Sequence, residues 1–341
     1  MRNVTERSQV DVREYRDDDE EEVLALLARA LGPGPAGART SEFWRWKHVT
    51  NPFGRSFVLV ARIDGAIVGV RPFMRWGFHA GGKTYTSVRA VDTATDPDHQ
   101  GKGIFSKLTR AALDALREEI DFVFNTPNDK SGPGYLKLGW SEVGNVPIRV
   151  RVKNPLRFAK GLRSIGHSDG REPVATTTEA TSAADILSDA AAVERAIARS
   201  TEPEGRFATP RSAPYLRWRY AQASFFDYRA IQLPQDRGFA IFRVRSRGSL
   251  REAVVTEVVV PAGDIAAAAS LLRRVSQASH VDHVAAAFPS GTAARNAMTR
   301  TAFLPAPGGM HLVVNTLDRS MTPDPTQLGS WALSLGDLEM F

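Results

Sequence analysis

Val91-Asp92-Thr93-Ala94-Thr95-Asp96-Pro97-Asp98-His99-Gln100-Gly101-Lys102-Gly103-Ile104-Phe105-Ser106 joins an alternating segment to an amphipathic one through a glycine-rich turn. Residues 84–95 read as a strand, with Val88, Ala90, Asp92 and Ala94 on one face. Ser87, Arg89, Val91, Thr93 and Thr95 take the other, as a period of two requires. Residues 104–117 place Leu108, Ala111, Ala112, Ala115 and Leu116 at helical spacing. Between them, Gly101 and Gly103 let the backbone approach a ligand closely and take φ values that other residues avoid. A helix start leaves amide N–H groups without intrahelical partners and carries the positive end of the dipole. Strand, glycine turn and helix start together make an anion site, most often for phosphate. Lys102 adds a charge beside it. The same residues also suit an ordinary strand-to-helix turn whose glycines serve geometry alone.

Two nucleotide fingerprints fail here. A P-loop needs Gly, four residues, then Gly-Lys-Ser/Thr, and Gly101-Lys102-Gly103 lacks that order. A dinucleotide loop needs Gly-x-Gly-x-x-Gly directly after the strand. Here the third position is Ser106, the first glycine lies several residues past the strand, and Asp121 opens the next strand.

Outward from this segment, the pattern is that of a mixed α/β domain of about 150 residues. A weak strand at 10–15 precedes a helix at 17–31 with an acidic first turn, stopped by Gly32-Pro33-Gly34-Pro35. Strands at 57–61 and 66–76 flank Asp64-Gly65, a two-residue hairpin signal. Phe122-Val123-Phe124 is a short buried strand, residues 135–138 a helical turn and 146–152 a closing strand.

The chain has 341 residues, which suits two domains. Hydrophobic residues make up 43%, enough for real cores. Cysteine is absent, which excludes a disulfide framework, a cysteine nucleophile and a thiolate zinc site. The net charge of +6 admits nucleic acid, an anionic membrane or an anionic small ligand as partner. The arginines are scattered, however, and no basic block appears, so nucleic acid is not expected. Neither a signal-peptide run nor a membrane-length apolar run is present, so a cytoplasmic location is expected.

Residues 162–181 read as a polar linker and 183–199 as an Ala-rich helix. Beyond them the sequence echoes itself. Phe43-Trp44-Arg45-Trp46-Lys47-His48 is matched by Tyr215-Leu216-Arg217-Trp218-Arg219-Tyr220, and Ile120-Asp121-Phe122-Val123 by Val281-Asp282-His283-Val284. Hairpin strands follow in both halves. The order points to a duplicated fold.

Gln100-Gly101-Lys102-Gly103-Ile104-Phe105 resembles the pyrophosphate loop of the GNAT superfamily, Gln/Arg-x-x-Gly-x-Gly/Ala, with Phe105 where Gly or Ala is usual. Asn128, followed seven residues later by Tyr135 and then Leu136-Lys137-Leu138-Gly139-Trp140, resembles a second segment of that superfamily. The resemblance covers about residues 10–152. It implies an α/β fold with a mixed central sheet of GNAT type in two tandem domains. The boundaries expected are 1–155 for the acyl-CoA-binding catalytic domain, 156–181 for a linker, 182–322 for a degenerate second domain and 323–341 for a loosely attached tail.

The resemblance further implies acetyl-CoA, or another acyl-CoA, as donor. Two parallel strands, ending at Thr95 and Phe124, would splay around the pantetheine arm. Backbone groups of Thr93, Ala94 and Thr95 would bond its amides, and one N–H would polarise the thioester carbonyl. Amides of Gln100, Gly101, Lys102, Gly103, Ile104 and Phe105 would hold the pyrophosphate. An amine with a pKa of about 10.4 is neutral about once in a few thousand molecules at pH 7, so a base helps. Asp92 is the candidate base and Tyr135 the candidate acid for the leaving thiolate. Asn128 bonds the pantetheine or fixes the loop; Ser131 does either or neither. Trp44, Trp46 and Phe53 line an acceptor pocket or fill the core. Arg75 and Arg89 meet an anionic acceptor or face solvent.

No metal is expected, since His48, His79 and His99 lack ligand spacing and no HExxH element occurs. The second half has Pro261-Ala262-Gly263-Asp264 where the loop belongs, and Met298 near the place of Tyr135. The expected function is N-acyl transfer to a small-molecule primary amine by direct attack in a ternary complex. The alternatives are an aminoacyl-tRNA-dependent transferase and a non-catalytic acyl-CoA-binding protein.

Overall fold

The computed structural model describes residues 10–34, 39–129, 131–161, 180–200 and 203–338. The chain forms two compact units, each gathered from three segments. Unit 1 takes Met1–Trp76, Thr86–Ser141 and Val314–Arg319; unit 2 takes Gly77–Tyr85, Glu142–Val313 and Ser320–Phe341.

Unit 1 begins with β1 (Asp11–Glu14), α1 (Glu20–Leu31) and α2 (Ser41–His48). Then come β2 (Phe57–Ile63), β3 (Ala66–Ala80), β4 (Lys83–Ala90) and β5 (Ala94–Thr95). It continues with α3 (Ile104–Leu116), β6 (Phe122–Asn125) and α4 (Gly132–Leu136). Its strands run in the order β1-β2-β3-β4-β6, with β5 on β3. Asp64 and Gly65 both take positive φ and close the β2–β3 hairpin as their sequence requires. Arg13 on β1 grips the carboxylate of Asp19 at 2.7 Å on both nitrogens, which fixes the approach to α1. Val23, Leu26 and Leu27 of α1 pack with Trp44, Val58, Val60, Ile67, Val70 and Ala94 in one core. At Gly69 on β3 a Cβ would stand 2.7 Å from Ile104 Cγ2, so glycine there lets α3 sit close on the sheet.

The strand expected over 84–95 is two strands. β4 pairs β6 in parallel only as far as Arg89 opposite Phe124. Asp92 then takes φ +45, and β5 turns to pair β3, Ala94 opposite Val70 and Thr95 opposite Gly69. The two parallel strands therefore part company beyond Phe124.

Unit 2 contains β7 (Ser141–Val146), β8 (Arg149–Val152), α5 (Pro155–Gly161), β9 (Thr181–Ser182), α6 (Ala183–Leu187) and α7 (Ala190–Arg199). α8 (Ala213–Leu216) runs on as a π-helical turn over Arg217–Ala221. There follow β10 (Tyr228–Gln232), β11 (Phe239–Arg247), β12 (Leu250–Val259) and α9 (Ile265–Ala278). The last elements are β13 (His283–Ala286), α10 (Ala293–Arg300), β14 (Leu304–Pro305), β15 (Met310–Asn315) and α11 (Leu335–Leu338). Seven strands form one sheet in the order β14-β8-β13-β12-β11-β10-β9. The sequence echo is a structural one: β10-β11-β12, then α9, then β13 parallel to β12, repeats β2-β3-β4, then α3, then β6 parallel to β4.

Three expectations change here. The closing strand expected at 146–152 is β7 plus β8, and β8 pairs β13 in the sheet of unit 2. The helix expected at 183–199 is broken at Ser188-Asp189, where the Asp189 carboxylate accepts from Ala192 N at 2.9 Å and starts α7. The segment expected as a loose tail is buried over 331–338, with Trp331 packed against Phe78 and Phe207 and its Nε1 donating to the Pro325 carbonyl. Most of the expected linker, residues 162–179, lies outside the described residues.

Candidate active site

The glycine turn before α3 is built by backbone. Gly101 and Gly103 take φ +75 and +77, left-handed values that favour glycine. A Cβ added to either would meet nothing within 4 Å, so it is the conformation, and not crowding, that calls for glycine. α3 starts at Gly103 with no side-chain cap, and the buried Ile104 fixes its first turn. Asp96 shapes the preceding turn by accepting from Asp98 N at 3.0 Å and pairing with Arg29 at 3.1 Å. Gln100 reaches back toward the Thr95 carbonyl at 3.4 Å. Gly101, Lys102 and Gly103 are exposed.

The matching helix of unit 2 is closed to an anion. Asp264 caps α9, its carboxylate accepting from Ala267 N at 2.8 Å and pairing with Arg237 at 2.9 Å. A side-chain carboxylate already occupies the place that the start of α3 leaves to backbone.

At the strand break, Asp92 sits in a buried knot of charge. Lys47 Nζ lies 2.6 Å and His48 Nε2 3.2 Å from Oδ2, and an Arg39 nitrogen lies 3.6 Å from Oδ1. His48 Nδ1 is held in turn by Ser56 Oγ at 2.9 Å. Burial alone pushes the Asp92 carboxyl up, but Lys47 and His48 outweigh it and hold the group well below the usual carboxylate range. Burial likewise pushes His48 toward its neutral form. A carboxylate held so firmly in its charged form takes up a proton poorly, the opposite of what a base near neutrality needs.

Tyr135 lies beside this knot. Its Oη accepts from Arg71 Nη1 at 2.9 Å, and the same nitrogen donates to Thr93 Oγ1 at 2.6 Å. Arg71 thus joins two residues that the sequence placed on separate elements. The Phe105 ring packs edge-on against Tyr135 with centroids 5.6 Å apart. The side chain that departs from the GNAT pattern thereby forms one wall of this pocket of rings. Asn128 Oδ1 accepts from Ser131 N at 3.0 Å and from Ser131 Oγ at 3.1 Å, which fixes the turn leading into α4 and Tyr135.

Other candidates lie elsewhere. Trp44 and Trp46 are buried in the core; Trp44 stacks on His48 at 4.1 Å and Phe53 on Trp76 at 4.9 Å. Arg75 pairs with Glu119, and Arg89 donates to Thr126 Oγ1 at 2.7 Å. Among the described residues there is no group of three or more His, Cys, Asp or Glu able to hold a metal ion. No helix among them is long and apolar enough to cross a membrane. The sequence reading missed Lys47, Arg39 and Arg71. Arg71 carried a signal, since it stands inside the otherwise apolar run Ala66-Ile67-Val68-Gly69-Val70-Arg71-Pro72-Phe73-Met74.

Residues 11–143 match the family model described as an acetyltransferase (GNAT) domain. None of the curated proteins matches the chain in sequence. Solved structures match its fold. A conserved protein of unknown function from Enterococcus faecalis, described as a probable N-acyltransferase, superposes with a TM-score of 0.63 at 14% identity, over 90% of this chain and 72% of that one. A GCN5-related N-acetyltransferase from Anabaena variabilis gives 0.61 at 12% identity, over 91% and 73%. The Saccharomyces cerevisiae N-myristoyltransferase, with myristoyl-CoA bound, gives 0.56 at 12% identity, over 98% and 90%. The mixed sheets and the uncapped glycine-initiated helix agree with that fold, and residues 11–143 carry the match to the acetyltransferase (GNAT) domain.

Proposed function

We propose that unit 1 transfers an acetyl or other short acyl group from acyl-CoA to the primary amine of a small molecule, by direct attack in a ternary complex. One observation carries this reading: the uncapped start of α3 follows the point where β5 leaves β4's course to pair β3, past the last β4–β6 pair. That combination supplies backbone donors for a pyrophosphate and a gap between strands for a narrow arm. The residues fit the donor: Gly101 and Gly103 keep side chains out of the turn, and amides from Gln100 to Phe105 would receive the phosphates. Backbone groups of Thr93, Ala94 and Thr95 would bond the arm. Acyl-CoA supplies an activated carbonyl: the neutral amine's nitrogen bonds to the carbonyl carbon and gives up one proton to water, the carbon–sulfur bond breaks, and the sulfur takes a proton.

Tyr135 is the proposed donor of that proton. Because its oxygen accepts from Arg71, its own hydrogen is left to point elsewhere, and Arg71 stays in place to stabilise the phenolate once the proton has gone. Asp92, expected as the base, is assigned a different part. It holds Lys47, His48 and Arg39 and so fixes the break that aims the backbone of Thr93 to Thr95.

Calorimetric titration with acetyl-CoA tests this. Wild-type protein is expected to bind. Gly103→Glu, which sets a carboxylate where the pyrophosphate belongs, is expected to lose binding at least 100-fold. Gly103→Asn, neutral and tolerant of left-handed backbone, serves as control and retains most of it. Folded wild-type protein that binds no acetyl-CoA would refute the proposal.

A further inference from the structure

Arg71 is a buried cation without an anion. It is fully buried, yet forms no ion pair with any carboxylate among the described residues. Its two hydrogen bonds, from Nη1 to Thr93 Oγ1 and Tyr135 Oη, go to neutral hydroxyls. Its Nε and Nη2 are buried with no hydrogen-bond partner. The rings of Phe73, Phe105 and Tyr135 surround its guanidinium at 4.6, 5.1 and 5.2 Å. Ring faces attract a cation, but an ion taken out of water needs more than that. Arg211, only partly buried, by contrast meets Glu257 at 2.8 Å and Asp337 at 3.9 Å. Near Arg71 the one carboxylate at the strand break, Asp92, already serves Lys47 and Arg39.

The vacant donors are Nε and Nη2 together. They lie on one edge of the planar guanidinium, the edge that meets a carboxylate with two parallel N–H···O bonds. The same guanidinium touches Thr93, whose backbone is placed above at the pantetheine arm, and Tyr135, placed at the leaving sulfur. We propose that Arg71 is a carboxylate site for the substrate, so that one of the two reactants carries a carboxylate close to the reacting carbonyl. It rests on the acyl-transfer reading above. Two sources supply this chemistry: the far end of a dicarboxylic half-thioester donor, or the α-carboxylate of an amino-acid acceptor.

Calorimetry separates them. The donor arm compares succinyl-CoA with butyryl-CoA, equal in chain length but with and without the terminal carboxylate. The acceptor arm compares alanine with alaninamide on CoA-saturated protein. In one arm the carboxylate ligand is expected to bind about 10- to 100-fold more tightly than its neutral partner, the range of a charge-assisted bond. Arg71→Gln is expected to erase that preference, so that carboxylate and neutral ligand bind the variant alike. Arg71→Lys, which keeps the charge but loses the two-donor edge, is expected to cut it about tenfold and serves if the Gln variant does not fold. Wild type that binds both thioesters alike, and alanine and alaninamide alike, overturns the carboxylate site alone, as does a preference that survives intact in either variant. Wild type that binds no CoA thioester overturns the acyl-transfer reading and this assignment with it.

Discussion

Asp92 holds a left-handed backbone conformation, which costs a non-glycine residue about 1 kcal/mol, and its buried partners Lys47 and His48 make that conformation worth keeping. The acid side of stability follows from its ionisation. Asp92 is held below its unfolded value of about 3.9, so the folded state binds fewer protons than the unfolded one there. Its contribution is complete above about pH 4 and is lost as pH falls toward the depressed folded value. Asp92→Asn removes it and leaves Lys47 buried without its counter-ion. At pH 7 the variant is expected to be about 3 kcal/mol less stable, and the gap between variant and wild type to narrow steadily below pH 4. Urea denaturation at pH 7 and pH 3 measures both values, and a gap independent of pH would show that the charge of Asp92 does not matter. The sequence showed Asp92 and Tyr135 as residues to watch, because one precedes a recognisable glycine loop and the other follows Asn128 by seven residues. It did not show what holds them. Lys47 and Arg39 lie more than forty positions before Asp92, and Arg71 lies 64 before Tyr135, so only the folded sheet brings them together.

Helix starts tell the two units apart at the level of elements. α3 and α9 follow equivalent strands and carry the same positive end, yet one begins at glycine and the other at aspartate. A capping carboxylate takes up the amides that a phosphate would otherwise meet. In unit 2 the capping carboxylate of Asp264 holds the helix start instead. Asp264→Ala is expected to cost about 1 kcal/mol in thermal unfolding and to leave acetyl-CoA affinity unchanged. A loss of affinity in that variant would assign unit 2 a share in holding the donor. The elements themselves were mostly legible: α1, the Asp64-Gly65 hairpin and α3 follow local rules of capping, turn chemistry and period. The break after Ala90 was not. Residues 84–95 alternate without interruption, and the partners that hold Asp92 at the turn, Lys47, His48 and Arg39, lie far off in the sequence.

In the whole molecule the two units are not two lengths of chain. Residues 77–85 belong to unit 2 although they join β3 and β4, and residues 314–319 belong to unit 1 although they come after the core of unit 2. A sequence cut near residue 155, where the glycine loop and the Tyr135 segment have both ended, looks natural because composition turns polar beyond it. The fold denies it. A fragment of residues 1–155 would lack Val314 and Leu317, both buried, and the backbone carbonyl of Leu317 that accepts from Arg117 at 3.1 Å. It would also carry Phe78 and Tyr85 stripped of Phe207 and Trp331, the rings they pack on. Large apolar faces left in water drive association. The fragment is therefore expected to aggregate, or to show a broad and weakly cooperative thermal transition, where the full chain stays dispersed. Light scattering and near-ultraviolet circular dichroism on the two proteins decide it. A monomeric fragment with sharp near-ultraviolet bands would mean that unit 1 closes its core without the return segment, and that the interleaving is a feature of the chain path with no part in stability.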